Sequence, residues 1–212
     1  MASLEIHPAL PTDASALTEL FHATFTGPFN ERMFPRQPDV TEWWEKNFHN
    51  SITQSIAGTN NEVILKVTSS STDGANPIVA FARWKVPGNG AGADHDRHEP
   101  ESEVVWAPSC DKELCDRFFS EMEVQHRKLL GGRRHYYLDM LGVHPSQKGR
   151  GLGSKLLRWG LERADAEGLE VYLSASPEGR PMYEKYGFRA VDTSMPFPGY
   201  EQTAMLRPPN GR

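Results

Sequence analysis

The stretch Tyr137 to Leu157, Y-L-D-M-L-G-V-H-P-S-Q-K-G-R-G-L-G-S-K-L-L, decides the fold. It runs from an apolar strand pattern through a glycine-studded turn into an amphipathic helix. Gly149, Gly151 and Gly153 lack the Cβ atoms that would hold a ligand away from the backbone. The helix that follows directs free N–H groups and the positive end of its dipole at the same spot. A pyrophosphate fits such a cradle.

Working outward, the patterning predicts a strand at His135 to Val143, a helix at about Gly151 to Glu167 stopped by Gly168, and a strand at Glu170 to Ala175. Together they make a βαβ unit with parallel strands. A short helix at Gly179 to Tyr186, a strand from Phe188 to about Thr193, a Pro-rich turn at Pro196 to Gly199 and a strand at Tyr200 to Leu206 follow. Upstream, Leu4 to His7 reads as an opening strand. Pro11-Thr12-Asp13 starts a helix whose apolar positions are Leu17, Leu20, Phe21 and Phe25. Thr26 to Pro38 reads as an apolar loop with a helical fragment, of the kind that lines pockets. Val40 to Gln54 is a helix whose Trp43, Trp44 and Phe48 serve core packing or substrate contact. Val63 to Val67 and Ile78 to Val86 form a hairpin around Ser69 to Asn76. Pro87 to Glu103 is too polar and glycine-rich to pack and reads as a surface loop. Asp111 to Leu130 is a helix with Leu114, Phe118, Met122 and Val124 inward, closed by Gly131-Gly132.

With 212 residues and 38% hydrophobic content, the expectation is one domain with one good core. A formal charge of -5 argues against unspecific nucleic-acid binding. Arg133, Arg134, Lys148 and Arg150 read as a local basic patch beside the glycine turn, for anion binding or as a solvated cluster. Cys110 and Cys115 fit neither a redox pair nor a zinc knuckle and read as ordinary thiols. Met1 to Pro8 lacks a leader pattern, and no eighteen-residue apolar run occurs, so no membrane association and a cytoplasmic location, with the nucleus open, are expected.

Residue arithmetic separates the glycine cradles. A nucleotide-triphosphate P-loop needs Lys followed by Ser or Thr, but Lys155 is followed by Leu156. A dinucleotide fingerprint needs G-x-G-x-x-G, whereas the run here is G-x-G-x-G, with Ser154 at the third site. Lys148-Gly149-Arg150-Gly151-Leu152-Gly153 resembles the signature of the GCN5-related N-acetyltransferase (GNAT) superfamily: Arg or Gln, two residues, Gly, one residue, Gly or Ala. Lys148 replaces the usual first residue. Met182 to Phe188, M-Y-E-K-Y-G-F, resembles the closing helix-to-strand segment of the same superfamily. Ser176 stands where Asn is usual.

The resemblance implies an α/β fold: a single GNAT-like domain over residues 1–212, with a mixed, twisted central sheet of six or seven strands, helices on both faces, and a loop and extra helix inserted at about 87–134. It implies acetyl-coenzyme A as cosubstrate. The amides of Lys148, Gly149, Arg150, Gly151, Leu152, Gly153 and Ser154 would hold its pyrophosphate. Leu141, Gly142 and Val143 would pair with the pantetheine arm, where two parallel strands splay, and Ser176 would add a polar contact. The activity implied is acetyl transfer to a primary amine, on a small molecule or a protein, in a ternary complex. A coenzyme-A-binding module without turnover is the alternative. No metal, nucleic acid or membrane partner is expected, and either a monomer or a homodimer fits.

An alkyl ammonium of pKa about 10.4 costs about 4.6 kcal/mol to deprotonate at pH 7, so a base is sought. Asp139, on the same strand face as Tyr137, is the candidate, or else it pairs with an Arg for structure. Tyr183 matches the superfamily's general acid and would stabilise the leaving sulfur; Tyr186 reads as core. His144 is either a base or a strand cap. Trp84, Trp106, Phe29 and Phe34 are candidates for shaping an acceptor pocket, with Pro196 to Tyr200 as its other wall. Asp94 to His98 carries metal-friendly residue types but reads as a solvated acidic loop.

Overall fold

A seven-stranded sheet organises the chain, whose computed structural model describes residues 4–69, 76–88 and 104–210. Its strands are β1 (Ile6–Pro8), β2 (Glu62–Thr68), β3 (Ile78–Lys85), β4 (His135–Val143), β5 (Glu170–Ala175), β6 (Arg189–Phe197) and β7 (Tyr200–Arg207). They lie in the order β1-β2-β3-β4-β5-β7-β6. Every neighbouring pair is antiparallel except β4 with β5. The helices are α1 (Ala14–Thr24), α2 (Pro28–Met33), α3 (Pro38–Ala57), α4 (Lys112–Leu130), α5 (Leu152–Glu167) and α6 (Arg180–Lys185). Most of the expected 87–103 loop, including Asp94 to His98, lies outside the described residues.

Two cores sandwich the sheet. On one face α5 buries Leu152, Leu156, Leu157, Leu161 and Ala164 against Ala82, Trp84, Leu138 and Leu173. Each buried Leu contributes about 1.5–3 kcal/mol relative to exposure. Gly160 permits the closest approach: a Cβ there would lie 2.4 Å from the Trp84 ring. Gly160→Ala therefore overpacks the interface, and urea unfolding is expected to show a loss of about 1–3 kcal/mol. On the opposite face, α1, α2, α3 and α4 bring Phe21, Phe29, Trp44 and Phe118 together with Phe48 and Phe81. Both Trp44 and Phe48 are core residues, while Trp43 is half-buried and donates its indole N–H to the Val105 carbonyl at 2.8 Å.

Several boundaries depart from the sequence reading. β6 runs on to Phe197, through Pro196, because it is an edge strand whose register with β7 breaks between Ser194 and Phe197. A missing N–H is tolerated there. α4 is capped by Asp111, which accepts from the Leu114 amide at 3.0 Å. Its inner row is Leu114, Phe118, Met122 and Gln125, whereas Val124 is 66% exposed. Two residues beyond Met122 is a rotation of about 200°, which turns Val124 to the far side. The expected basic patch does not form. Arg133 and Arg134 pair with Glu170 and Glu167 near the start of β4, while Lys148 and Arg150 follow its far end. A strand of this length separates its ends by roughly 30 Å.

Candidate active site

β4 and β5 part company halfway. His135 to Leu138 pair with Glu170 to Leu173 and the ladder then stops. From Met140 to Val143, β4 is bonded on its β3 side alone, while Ser174 and Ala175 pair with β7. A bulge sits at the parting point: Arg83 faces Met140 and Trp84 faces Leu138, so Asp139 is the extra residue. The backbone of Leu141, Gly142 and Val143 thus presents an unpaired strand edge toward the gap.

The glycine turn stands at the mouth of this gap. Gly149 and Gly151 have φ of 79° and 75°, in the left-handed region, and Cβ atoms there would meet nothing within 4 Å. Gly151 caps α5, whose ladder opens with the Lys155 N–H donating to the Gly151 carbonyl at 2.9 Å. Amides from Gly151 to Ser154 are left directed out of the helix end. Gly153 packs the helix start on the β4 end and on α6, where a Cβ would reach ordinary contact distance, 3.4 Å, from Leu141 Cδ2 and from Met182 Sδ. Gly142 makes room for the Phe81 ring. Lys148 and Arg150 are exposed beside the turn; Lys148 approaches Glu178 at 3.8 Å, and Arg150 donates to Gln147. Leu152 is buried core, so its contribution to an anion is confined to its backbone N–H. His144 caps the turn with its Nδ1, accepting from the Ser146 amide at 3.2 Å.

Tyr183 stands on α6, 8% exposed, with its ring edge-on to Phe188 at 5.9 Å. It borders a cavity of about 140 Å³ that also touches Asp139, Ser174, Ser176 and Gln202. Burial pushes its phenol well above the ordinary tyrosine pKa, so it stays protonated and able to donate. Ser176 Oγ accepts from the Gly179 amide at 3.2 Å, and its carbonyl accepts from Gly179 and Arg180, so this serine holds the start of α6.

Asp139 lies in the cavity wall, but Arg83 Nε donates to its Oδ2 at 2.5 Å, and both side chains are largely buried. Arg83 also donates to Asn47 Oδ1 at 3.1 Å. Burial pushes the Asp139 carboxyl up; Arg83, aided by Lys85, more than offsets this and holds it below the usual carboxylate range. The ion pair keeps this carboxylate charged and commits one of its oxygens to Arg83. Of the other aromatic candidates, Phe29, Phe34 and Tyr200 border the cavity. Trp84 is instead wholly buried against Gly160 on the opposite face. Trp106 stacks on Phe119 and donates to Asp116.

Sequence reasoning missed Arg83, Ser174 and Gln202. An Arg inside the apolar run I-V-A-F-A-R-W was the available signal for a buried pair. Strand alternation could also have set Gln202 beside Tyr200 on one face.

Residues 124–207 match the acetyltransferase (GNAT) domain model. That segment of the chain resembles the GCN5-related N-acetyltransferase superfamily. The splayed strands, the glycine cap and α6 all fall within that matched segment. The chain is 30% identical over 99 residues to a glucosamine 6-phosphate N-acetyltransferase of Trypanosoma brucei brucei. That match covers 46% of the chain and 59% of the trypanosome enzyme, so the chain spans less than two thirds of that relative's length. Among solved structures, arylalkylamine N-acetyltransferase 2 from Aedes aegypti superposes with a TM-score of 0.66 at 15% identity, covering 98% of this chain and 100% of that one. PaiA N-acetyltransferase from Thermoplasma acidophilum, in complex with coenzyme A, gives a TM-score of 0.57 at 15% identity, covering 97% and 99%. At such identity the likeness establishes the GNAT fold.

Proposed function

We propose that residues 1–212 form one N-acetyltransferase domain, with the segment of about 87–134 as an insertion, that moves an acetyl group from acetyl-coenzyme A to a primary amine by direct attack. The observation that carries this reading is the parting of β4 from β5 beside a glycine-capped helix, with a buried tyrosine reaching the gap. The residues fit the donor. Amides at Gly149 to Ser154 suit a diphosphate, the Lys148 amide being engaged by the Pro145 carbonyl at 3.3 Å, and the two left-handed glycines leave open space where a side chain would intrude. The edge of Leu141, Gly142 and Val143 suits the amide groups of a pantetheine arm by strand addition. Ser176, at the cavity wall, adds a hydroxyl to the same path.

The chemistry divides among few groups. A neutral amine nitrogen bonds to the acetyl carbon, the carbon–sulfur bond breaks, and the sulfur leaves with its electron pair. Tyr183 donates a hydrogen bond to that sulfur, which lowers the cost of the charge developing there. Asp139, held as a carboxylate by Arg83, orients the incoming amine, and the amine's proton passes to water rather than resting on so weak a base. Direct attack predicts a sequential mechanism. Initial-rate plots against both substrates should intersect, and labelled coenzyme A should not exchange into acetyl-coenzyme A without an amine. Parallel lines with such exchange would contradict it.

A further inference from the structure

The cavity at the strand gap carries information about the acceptor. Its wall contains Phe21, Phe29, Phe34, Phe118 and Tyr200, with Phe29 stacked on Tyr200 at 4.1 Å between ring centroids. Burial pushes the Tyr200 phenol up to about 12, so this wall stays uncharged. The volume of about 140 Å³ matches one aromatic ring, since apolar cavities of about 150 Å³ accept benzene.

Charge narrows the choice. Among the described lining residues, the carboxylate and the guanidinium are Asp139 and Arg83, and they neutralise one another at 2.5 Å. A second ammonium, as on a polyamine, would lack an uncommitted carboxylate, and a phosphate would lack a second cation for a charge-assisted clamp. Two residues of this wall nevertheless carry a buried polar atom that asks for a partner. Gln202 is 5% exposed, and its Oε1 is buried without a hydrogen-bond partner. Ser174 Oγ, on the neighbouring strand, is in the same condition. Gln202 opposes Ser194 on β7's other side, and Ser174 opposes Ala204, two residues along from Gln202, so the two side chains share one sheet face. Native structures rarely leave a buried amide oxygen unbonded.

We propose that the acceptor is a monoamine carrying a compact aryl or similarly sized apolar group, and that Gln202 Oε1 together with Ser174 Oγ accepts its N–H hydrogen bonds. The ring enters the aromatic cage, and the amine is held at the polar wall near Tyr183. The inference rests on the acetyl-transfer reading. It makes Gln202 an amine-positioning residue, while the apolar, charge-neutral cage is what a sugar phosphate or a linear diamine would not satisfy.

The test compares 2-phenylethylamine, putrescine and glucosamine 6-phosphate as acceptors, with acetyl-coenzyme A binding followed separately by calorimetry. The aryl amine should show the highest kcat/KM. Gln202→Leu should raise its KM about tenfold, the loss of one buried hydrogen bond. Gln202→Glu, which keeps an acceptor oxygen, should recover most of that loss, and acetyl-coenzyme A affinity should be unchanged in both variants. Preference for putrescine or the sugar phosphate, or an unchanged KM in Gln202→Leu, would overturn the acceptor assignment while leaving acetyl transfer intact. Absence of acetyl-coenzyme A binding in the unsubstituted protein would instead overturn the reading on which it rests.

Discussion

Tyr183→Phe is expected to lower turnover about a hundredfold while the affinity for acetyl-coenzyme A stays within about twofold. The substitution removes a single oxygen from a ring that is 8% exposed and edge-packed on Phe188, so the apolar contacts survive. What goes is the donor proposed for the departing sulfur. Loss of one preorganised donor of this kind typically costs about 10²–10³ in rate. Stopped assays of thiol release, paired with calorimetric titration of the cosubstrate, separate the two quantities. A variant that turns over at the parental rate would reduce Tyr183 to packing.

The second large effect concerns stability. Asp139→Asn should destabilise the fold by about 3–5 kcal/mol, the usual cost of stranding one member of a buried ion pair. Arg83 would keep its contact with Asn47 but lose the carboxylate that neutralises it. The sign of the pH dependence follows from the same pair. Asp139 has its folded pKa held below the unfolded value, so its contribution is complete above the ordinary carboxylate range and is lost as pH falls through the depressed value. The parent protein should therefore lose stability in acid more steeply than Asp139→Asn does. Urea midpoints measured between pH 3 and pH 7 would show the two curves converging toward the acid end. Parallel curves would mean that the pair contributes nothing.

The legibility of this fold was uneven, for physical reasons. The ends of β4 and β5 coincide with the sequence reading because each apolar run is closed by a breaker, His144-Pro145 in one case and Ser176-Pro177 in the other. The glycine turn was readable because left-handed backbone at Gly149 and Gly151 leaves few residue types to choose from. β6 was underestimated because a proline acts as a stop only where a neighbouring strand needs its N–H, and an edge position is a tertiary fact. The same holds for the cations around β4. Arg133 and Lys148 are close in sequence, yet an extended strand carries them apart.

The candidate site shows the same division. Tyr183 and the amide cradle belong to local patterns and could be placed by their motifs. The role of Asp139 depends on Arg83, which lies 56 positions earlier and meets it only through the β3–β4 pairing. Gln202 and Ser174 come from different strands, and their unmet hydrogen-bonding capacity exists only once α1, α2 and α4 have covered that face. No one-dimensional pattern announces such a pair.

Hydrogen exchange read by mass spectrometry, with and without acetyl-coenzyme A, tests the central claim most directly, because the claim is about which backbone amides hold the donor. Slowed exchange concentrated in the segments 139–143 and 148–154, with the α3 and β1 regions unchanged, is the result this account predicts. Unaltered exchange in both segments at millimolar acetyl-coenzyme A would contradict it.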